Sequence, residues 1–316
     1  MHTAAWVIVA GLGVAAIVRG AETFAEHLAV ASTRLGVSAF ALALLLAGAE
    51  PEELATAVTA SLRGAPAIAF GDVIGANVAI CLVALGVGAV VAPLPFDVRV
   101  RRYALVGLPA GALAAWSAWD GHVSRVEGLG LVGLYVAFVA TIWIIERQPP
   151  ALGETGELAH AAPSAAAGRV GRELVLVVAG VAAMAVGATA LVEGIRRISE
   201  LESTQARLGL VVVGFATAFE LVVLAWSAAR RGITPAVVAG VVGSYTYNAT
   251  MTLGAGALAR PLRVVDAEAL HGPWLGMLAA LAVVVALAWP ARRLDRRAGV
   301  VCLALYPVFV AVALLA

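Results

Sequence analysis

Apolar residues run along this chain in long windows, not in alternating pairs, and the windows are broken by clusters of Arg, Gly and Pro. A helix crossing the hydrocarbon core of a bilayer needs about 20 such residues. The windows fall near 4–32, 36–62, 66–92, 100–119, 126–145, 173–199, 205–229, 234–258, 271–289 and 298–315, which predicts ten transmembrane helices. The first and sixth are long, and each has a polar second half: Glu22, Glu26 and His27 in one, Glu193, Arg196 and Arg197 in the other. Both are expected to tilt or to extend past the bilayer. Unbroken runs such as Leu278 to Trp289 exclude a transmembrane β-barrel, which needs short alternating segments.

Composition agrees with an all-α polytopic membrane protein. Of 316 residues, 62% are hydrophobic and only 13% charged, at a mean hydropathy of +0.97, whereas soluble domains carry about 25% charged residues. Membrane lipid is therefore the expected surrounding partner, and nucleic acid is not. The net charge is +1, and all 21 basic residues are Arg. Thirteen of them fall in one set of alternate loops and seven in the other, with Arg19 inside the first window. The positive-inside rule makes the richer side cytoplasmic and predicts both termini outside. Cys81 and Cys302 lie in apolar runs and read as small buried hydrophobes. The N-terminus lacks a basic leader and a small-residue cleavage site, so Ala4 to Val18 reads as part of the first span.

The two halves repeat. At an offset of 167, Gly20-Ala21 meets Gly187-Ala188, Glu26 meets Glu193 and Glu53-Leu54 meets Glu220-Leu221. One residue is then gained, and at 168 Gly75 meets Gly243, Leu85-Gly86 meets Leu253-Gly254 and Pro93-Leu94 meets Pro261-Leu262. Single Gly or Ala matches mean little in so biased a chain, but a register held over about 75 residues with one slip is a repeat. Each half holds five windows, an odd number, so the second copy enters the membrane from the opposite side. Two inverted-topology five-helix repeats place a transport site near midplane between them. The expected organisation is a first repeat at 1–147, a cytoplasmic linker at 148–171 and a second repeat at 172–316.

Two symmetry-related acids stand inside the windows, Glu53 in Ala-Gly-Ala-Glu-Pro-Glu-Glu-Leu (47–54) and Glu220 in Gly-Phe-Ala-Thr-Ala-Phe-Glu-Leu (214–221). A charge at bilayer centre costs at least about 2.5–3.5 kcal/mol, so such a pair calls for a compensating cation or proton. Pro51 removes a backbone hydrogen bond beside Glu53 and frees carbonyl groups, a device of broken helices that coordinate ions. Glu50 adds a carboxylate three residues before Glu53, on the same face if the helix continues through Pro51. Glu52 is expected to face an aqueous vestibule as a solvated charge, and Glu50 either that or the site. Asp72 is a ligand or proton carrier, or else caps a helix start.

These segments resemble the calcium/cation antiporter superfamily, which includes sodium/calcium exchangers. In it a Gly-Thr-Ser-x-Pro-Glu-type break precedes a Gly-Asn-x-x-Gly-Ser-Asn-type segment in each repeat. Residues 48–54 and 215–221 look like the first element, and 71–77 and 239–245 like the second, the likeness covering about 20–94 and 187–262. It implies ion-binding glutamates at Glu53 and Glu220, preceding hydroxyl positions at Ala49, Glu50, Ala216 and Thr217, and further ligands at Ala76, Ile80, Ser244 and Asn248. Ala49, Ala216, Ala76 and Ile80 carry no side-chain oxygen, while Ca²⁺ takes six to eight oxygens, so Glu50, Asp72, carbonyls or water would have to complete a calcium site.

The resemblance thus implies a secondary active antiporter, not an enzyme. It would exchange Ca²⁺ for Na⁺ or H⁺ by alternating access, with the long first and sixth spans moving against the second, third, seventh and eighth. The candidate cation ligands are Glu53, Glu220, Glu50, Thr217, Ser244, Asn248 and Asp72. A monovalent Na⁺/H⁺ exchanger is the alternative, favoured by the missing oxygens. No cofactor is expected beyond the transported cations. His-Glu-x-x-His, Gly-x-Ser-x-Gly and Cys/His ligand sets are absent from the sequence. Glu26, Glu193 and His27 read as groups near the membrane surface, and Gly71-x-x-x-Gly75 as a helix-packing face.

Overall fold

The computed structural model describes residues 3–34, 50–146, 170–232 and 235–315. Residues 36–49 of the expected second span, Ala49 among them, and most of the expected linker lie outside the described residues. The helices are α1 (Thr3–Arg34), α2 (Pro51–Leu62), α3 (Pro66–Val91), α4 (Val98–Ser117), α5 (Arg125–Glu146), α6 (Val170–Ile198), α7 (Glu202–Arg231), α8 (235–259), α9 (Glu268–Ala288) and α10 (Arg296–Leu315). Each lies under one of the sequence windows. Among the described residues, α1, α3, α5, α6, α7, α9 and α10 are seven helices long and apolar enough to cross a membrane. The protein is an all-α polytopic membrane protein.

Three of these helices contain a π turn: α3 at Ile80–Ala84, α7 at Gly209–Val213 and α8 at Asn248–Thr252. A π turn admits one extra residue and re-aims the side chains around it, often at functional sites. Those of α3 and α8 stand at the 168-residue offset of the repeat.

Helix α3 is the centre of the molecule. It is hydrophobic on every face, and 89% of its most apolar stretch is buried, against 50% or less in the other six long helices. Pro66 opens it, right after a tight stop to α2. There Gly64 takes φ +69°, a left-handed conformation that suits only glycine, and Ala65 N–H reaches back to the Ala60 carbonyl at 2.9 Å.

The pairings recur when the halves are exchanged. Helix α3 packs on α7 and α10, and α8 packs on α2 and α5. Two short antiparallel ribbons join loop to loop across the halves: Leu94–Pro95 with Arg293–Leu294, and His122–Val123 with Leu262–Arg263.

Helices α1 and α6 form the most extensive contact between any two elements. They cross at backbone distance: a Cβ on Gly13 would sit 2.7 Å from the Gly187 carbonyl, and one on Gly20 would sit 2.8 Å from that of Gly180. Lipid tails give helices no hydrophobic reason to associate, so such small-residue crossings carry the packing. His27 is clipped to α6, its Nδ1 lying 2.7 Å from Glu173 Oε2. The sequence reading had left His27 as an interfacial group with no partner named. Glu173→Ala is expected to lower stability by about 1 kcal/mol, below the roughly 1.5–3 kcal/mol of hydrogen bonds to charged groups because His27 retains some solvent contact. Thermal unfolding in detergent checks this, with His27→Ala adding nothing further to Glu173→Ala.

Candidate functional site

The N-terminus of α2 gathers the acids. Pro51 stands at the first helical position, where its missing N–H and fixed φ do no harm, and Glu52 and Glu53 occupy the first turn, where the positive end of the helix dipole favours negative charge. Glu50 precedes the helix with φ −133° and ψ 61°, and its carbonyl accepts from Glu53 N–H at 3.2 Å. The helix therefore does not continue through Pro51. Glu50 belongs to its cap, and the shared helical face expected of Glu50 and Glu53 is corrected to a shared helix terminus.

Burial decides the roles of these groups. Glu50, Glu52 and Glu53 are each 1% exposed and Asp72 is 0% exposed. The solvated vestibule expected for Glu52 is thus overturned, as is the same option for Glu50. Asp72 does not cap a helix either: α3 begins at Pro66 with Ala65 in the cap position, and Asp72 sits in its second turn. Its Oδ1 accepts from Thr217 Oγ1 at 3.1 Å, across 145 residues. Thr217 shares the same hydroxyl with the Val213 and Gly214 carbonyls of its own helix, at 3.1 and 3.3 Å.

Helix α8 closes the other side. Asn248 donates Nδ2 to Glu50 Oε2 at 2.9 Å, across 198 residues, and its Oδ1 accepts from Thr252 Oγ1 at 3.2 Å. Ser244, one turn earlier, is buried and spends its hydroxyl on the Gly240 carbonyl at 3.2 Å. The Tyr247 ring lies beside Glu50, Glu52 and Glu53, and edge-on to Tyr135 at 5.3 Å.

Glu53 is the centre of this cluster. Its acidic neighbours are Glu50, Glu52 and Asp72; the Glu50 carboxyl lies within hydrogen-bond reach of it, and among the described residues no amide, hydroxyl or guanidinium donates to either of its oxygens. Asp72 Oδ2 likewise has no such donor among them. A buried carboxylate without donors is costly and needs a proton or a cation beside it. The first-half positions that the repeat matches to Ser244 and Asn248 are apolar, Ala76 and Ile80 both being fully buried.

Of the candidate ligands, the structure brings Glu50 to Asn248 and Asp72 to Thr217, with Glu53 between them. Ser244 lies on the same face of α8 as Asn248, one turn away. Glu220 stands apart in character: it begins the second part of α7 after a break at Ala218 and is only partly buried. Among the described residues no three His, Cys, Asp or Glu side chains converge as a ready-made metal-ligand set. Thr252 and Tyr247 were missed by the sequence reading. The available signal was the spacing of Thr252, four residues after Asn248, which puts both on one helical face.

Comparison with known proteins agrees with this architecture. The pattern of the sodium/calcium exchanger protein family matches residues 5–144 and 172–315. An uncharacterised membrane protein of Methanocaldococcus jannaschii is 25% identical over 295 residues, covering 93% of this chain and 91% of its own. The sodium/calcium exchanger MaX1 of Methanosarcina acetivorans is 31% identical over 93 residues, 29% of this chain and 27% of its own. In fold, the sodium-calcium exchanger NCX_Mj superposes with a TM-score of 0.61 at 23% identity, covering 98% of this chain and 99% of that one. With the family pattern spanning most of its length, the chain belongs to the sodium/calcium exchanger protein family of membrane cation antiporters.

Proposed function

We propose that this protein exchanges Ca²⁺ for Na⁺ or H⁺ across the membrane by alternating access, through ten transmembrane helices arranged as two inverted-topology five-helix repeats. The repeats are 1–147 and 172–316, joined by a cytoplasmic linker at 148–171, with both termini outside. The carrying observation is the buried carboxylate cluster of Glu50, Glu52, Glu53 and Asp72, in which Glu53 meets the Glu50 carboxyl but no amide, hydroxyl or guanidinium donor among the described residues. Carboxylate and amide oxygens suit a hard cation. The pairings that recur on exchanging α3 with α8 and α5 with α10, together with the two cross-half ribbons, support the repeat.

In this reading Glu53 and Glu50 supply the principal charge, and Asp72, Thr217, Ser244 and Asn248 supply further oxygens. Glu220 completes the shell when α7 moves on its break at Ala218, bringing the second half's acid to the first half's cluster. The glycine-crossed pair α1 and α6 is the element that moves as one body against the core, since its two helices are locked to each other at backbone distance.

The apolar burial of Ala76 and Ile80 favours a second reading, a monovalent Na⁺/H⁺ exchanger, because a divalent ion asks for more oxygens than this side offers. Uptake of ⁴⁵Ca²⁺ into proteoliposomes, driven separately by outward Na⁺ and outward H⁺ gradients, discriminates. Calcium uptake under either gradient is the expected result and identifies the counter-ion. Sodium movement coupled to internal pH, with no calcium uptake, establishes the second reading instead.

A further inference from the structure

Asn248 is held in one orientation, and what holds it is not a candidate ligand. A carboxylate only accepts, so the amide must turn its N–H₂ to Glu50, which leaves its carbonyl oxygen facing away from the acids. That oxygen is taken by Thr252 Oγ1 at 3.2 Å, inside the same π turn. Thr252 is fully buried. In a regular helix a threonine hydroxyl bonds the carbonyl four residues back, as Thr56 does with Glu52 at 2.7 Å in α2. Thr252 instead bonds the side chain of the residue four back, and its hydroxyl also meets that of Tyr247, which holds it against the amide. The equivalent π turn of α3 has Ile80 and Ala84 at these two positions, so the molecule contains this pair once.

We propose that Thr252 is a positioning residue that sets the cation affinity of the site by fixing which end of the Asn248 amide faces the carboxylates. As folded, position 248 presents a donor to Glu50, holding that carboxylate by a hydrogen bond. For Asn248 to give its oxygen to a cation, the amide must turn over, breaking the bonds to Glu50 and Thr252 together. Thr252 thereby weighs against the ligating orientation and keeps the bound ion releasable. This rests on the antiport reading above, and it assigns to Thr252 a role without contact to the ion.

The test uses the full-length protein in proteoliposomes with ⁴⁵Ca²⁺ uptake. Thr252→Val removes the donor at nearly constant volume. It is expected to lower the KM for Ca²⁺ about three- to tenfold, the worth of one neutral hydrogen bond, and to lower the maximal rate because release slows. Thr252→Ser restores the donor and both wild-type values. In an Asn248→Ala background Thr252→Val has no further effect on KM. A merely structural role would instead reduce the maximal rate and leave KM unchanged or raised, whether or not Asn248 is present. An unchanged or raised KM in Thr252→Val overturns the proposal, as does an effect that persists without Asn248. A wild type silent to Ca²⁺ under every gradient overturns the calcium antiport reading itself, and this proposal with it.

Discussion

Replacing Glu53 by Gln is expected to abolish cation exchange while leaving the fold intact. The wild-type carboxylate sits 1% exposed among Glu50, Glu52 and Asp72, with no amide, hydroxyl or guanidinium donor to either oxygen among the described residues. A charge in that position is worth about 2.5–3.5 kcal/mol to any cation that relieves it, and losing it lowers occupancy, and with it flux, by about 100-fold. Gln keeps the shape and adds an N–H₂ that can donate to Glu50, so thermal stability in detergent should equal or exceed the wild type. Retained ⁴⁵Ca²⁺ or Na⁺ flux in a well-folded Glu53→Gln protein would remove Glu53 from the transport path.

Gly75→Val should act in the opposite way, through folding and not through chemistry. A Cβ at Gly75 would fall on the Leu210 carbonyl, and the clash is with main chain, which no rotamer change relieves. The facing Gly214 is equally confined, its Cβ meeting the Gly75 carbonyl carbon at 2.6 Å and the Asp72 carbonyl oxygen at 2.8 Å. Helix α3 and the π turn of α7 must therefore separate to admit a side chain, at a cost at or above the roughly 1–3 kcal/mol usual for overpacking. Separation also pulls Asp72 from Thr217. The expected outcome is little folded protein after detergent extraction. Gly11→Ala, where a Cβ meets nothing within 4 Å, serves as the silent control.

These two positions show what could be read from residues alone. The seven long apolar helices were legible because a bilayer dictates length and apolarity, and the Gly71/Gly75 packing face was legible because only small residues let two backbones meet. The acids were legible as a group but not in their placement. Pro51 permits both a kink within a helix and the start of one, and the two put Glu50 on different backbones. The burial of Glu52 was hidden because three acids around one helix turn point in different directions, and only the covering helices decide which of them meet solvent. The bonds from Asn248 to Glu50 and from Thr217 to Asp72 join residues 198 and 145 apart, so they depend on the register between halves, which a single sequence does not state. The role of Thr252 depends on the π turn, which places it against Asn248.

The interlocking of the halves has a consequence for how the protein is made. The wrapping of α3 by α7 and α10, and the ribbon tying Leu94–Pro95 to Arg293–Leu294, use segments from opposite ends of the chain. The first half leaves the ribosome with Glu50 and Asp72 already placed in α2 and α3, but their partners Asn248 and Thr217 are still to be synthesised. Until then the acids lack these two hydrogen bonds and the walls that α7 and α8 supply. The first half thus emerges first and acquires these interior walls only when α7 and α8 follow it.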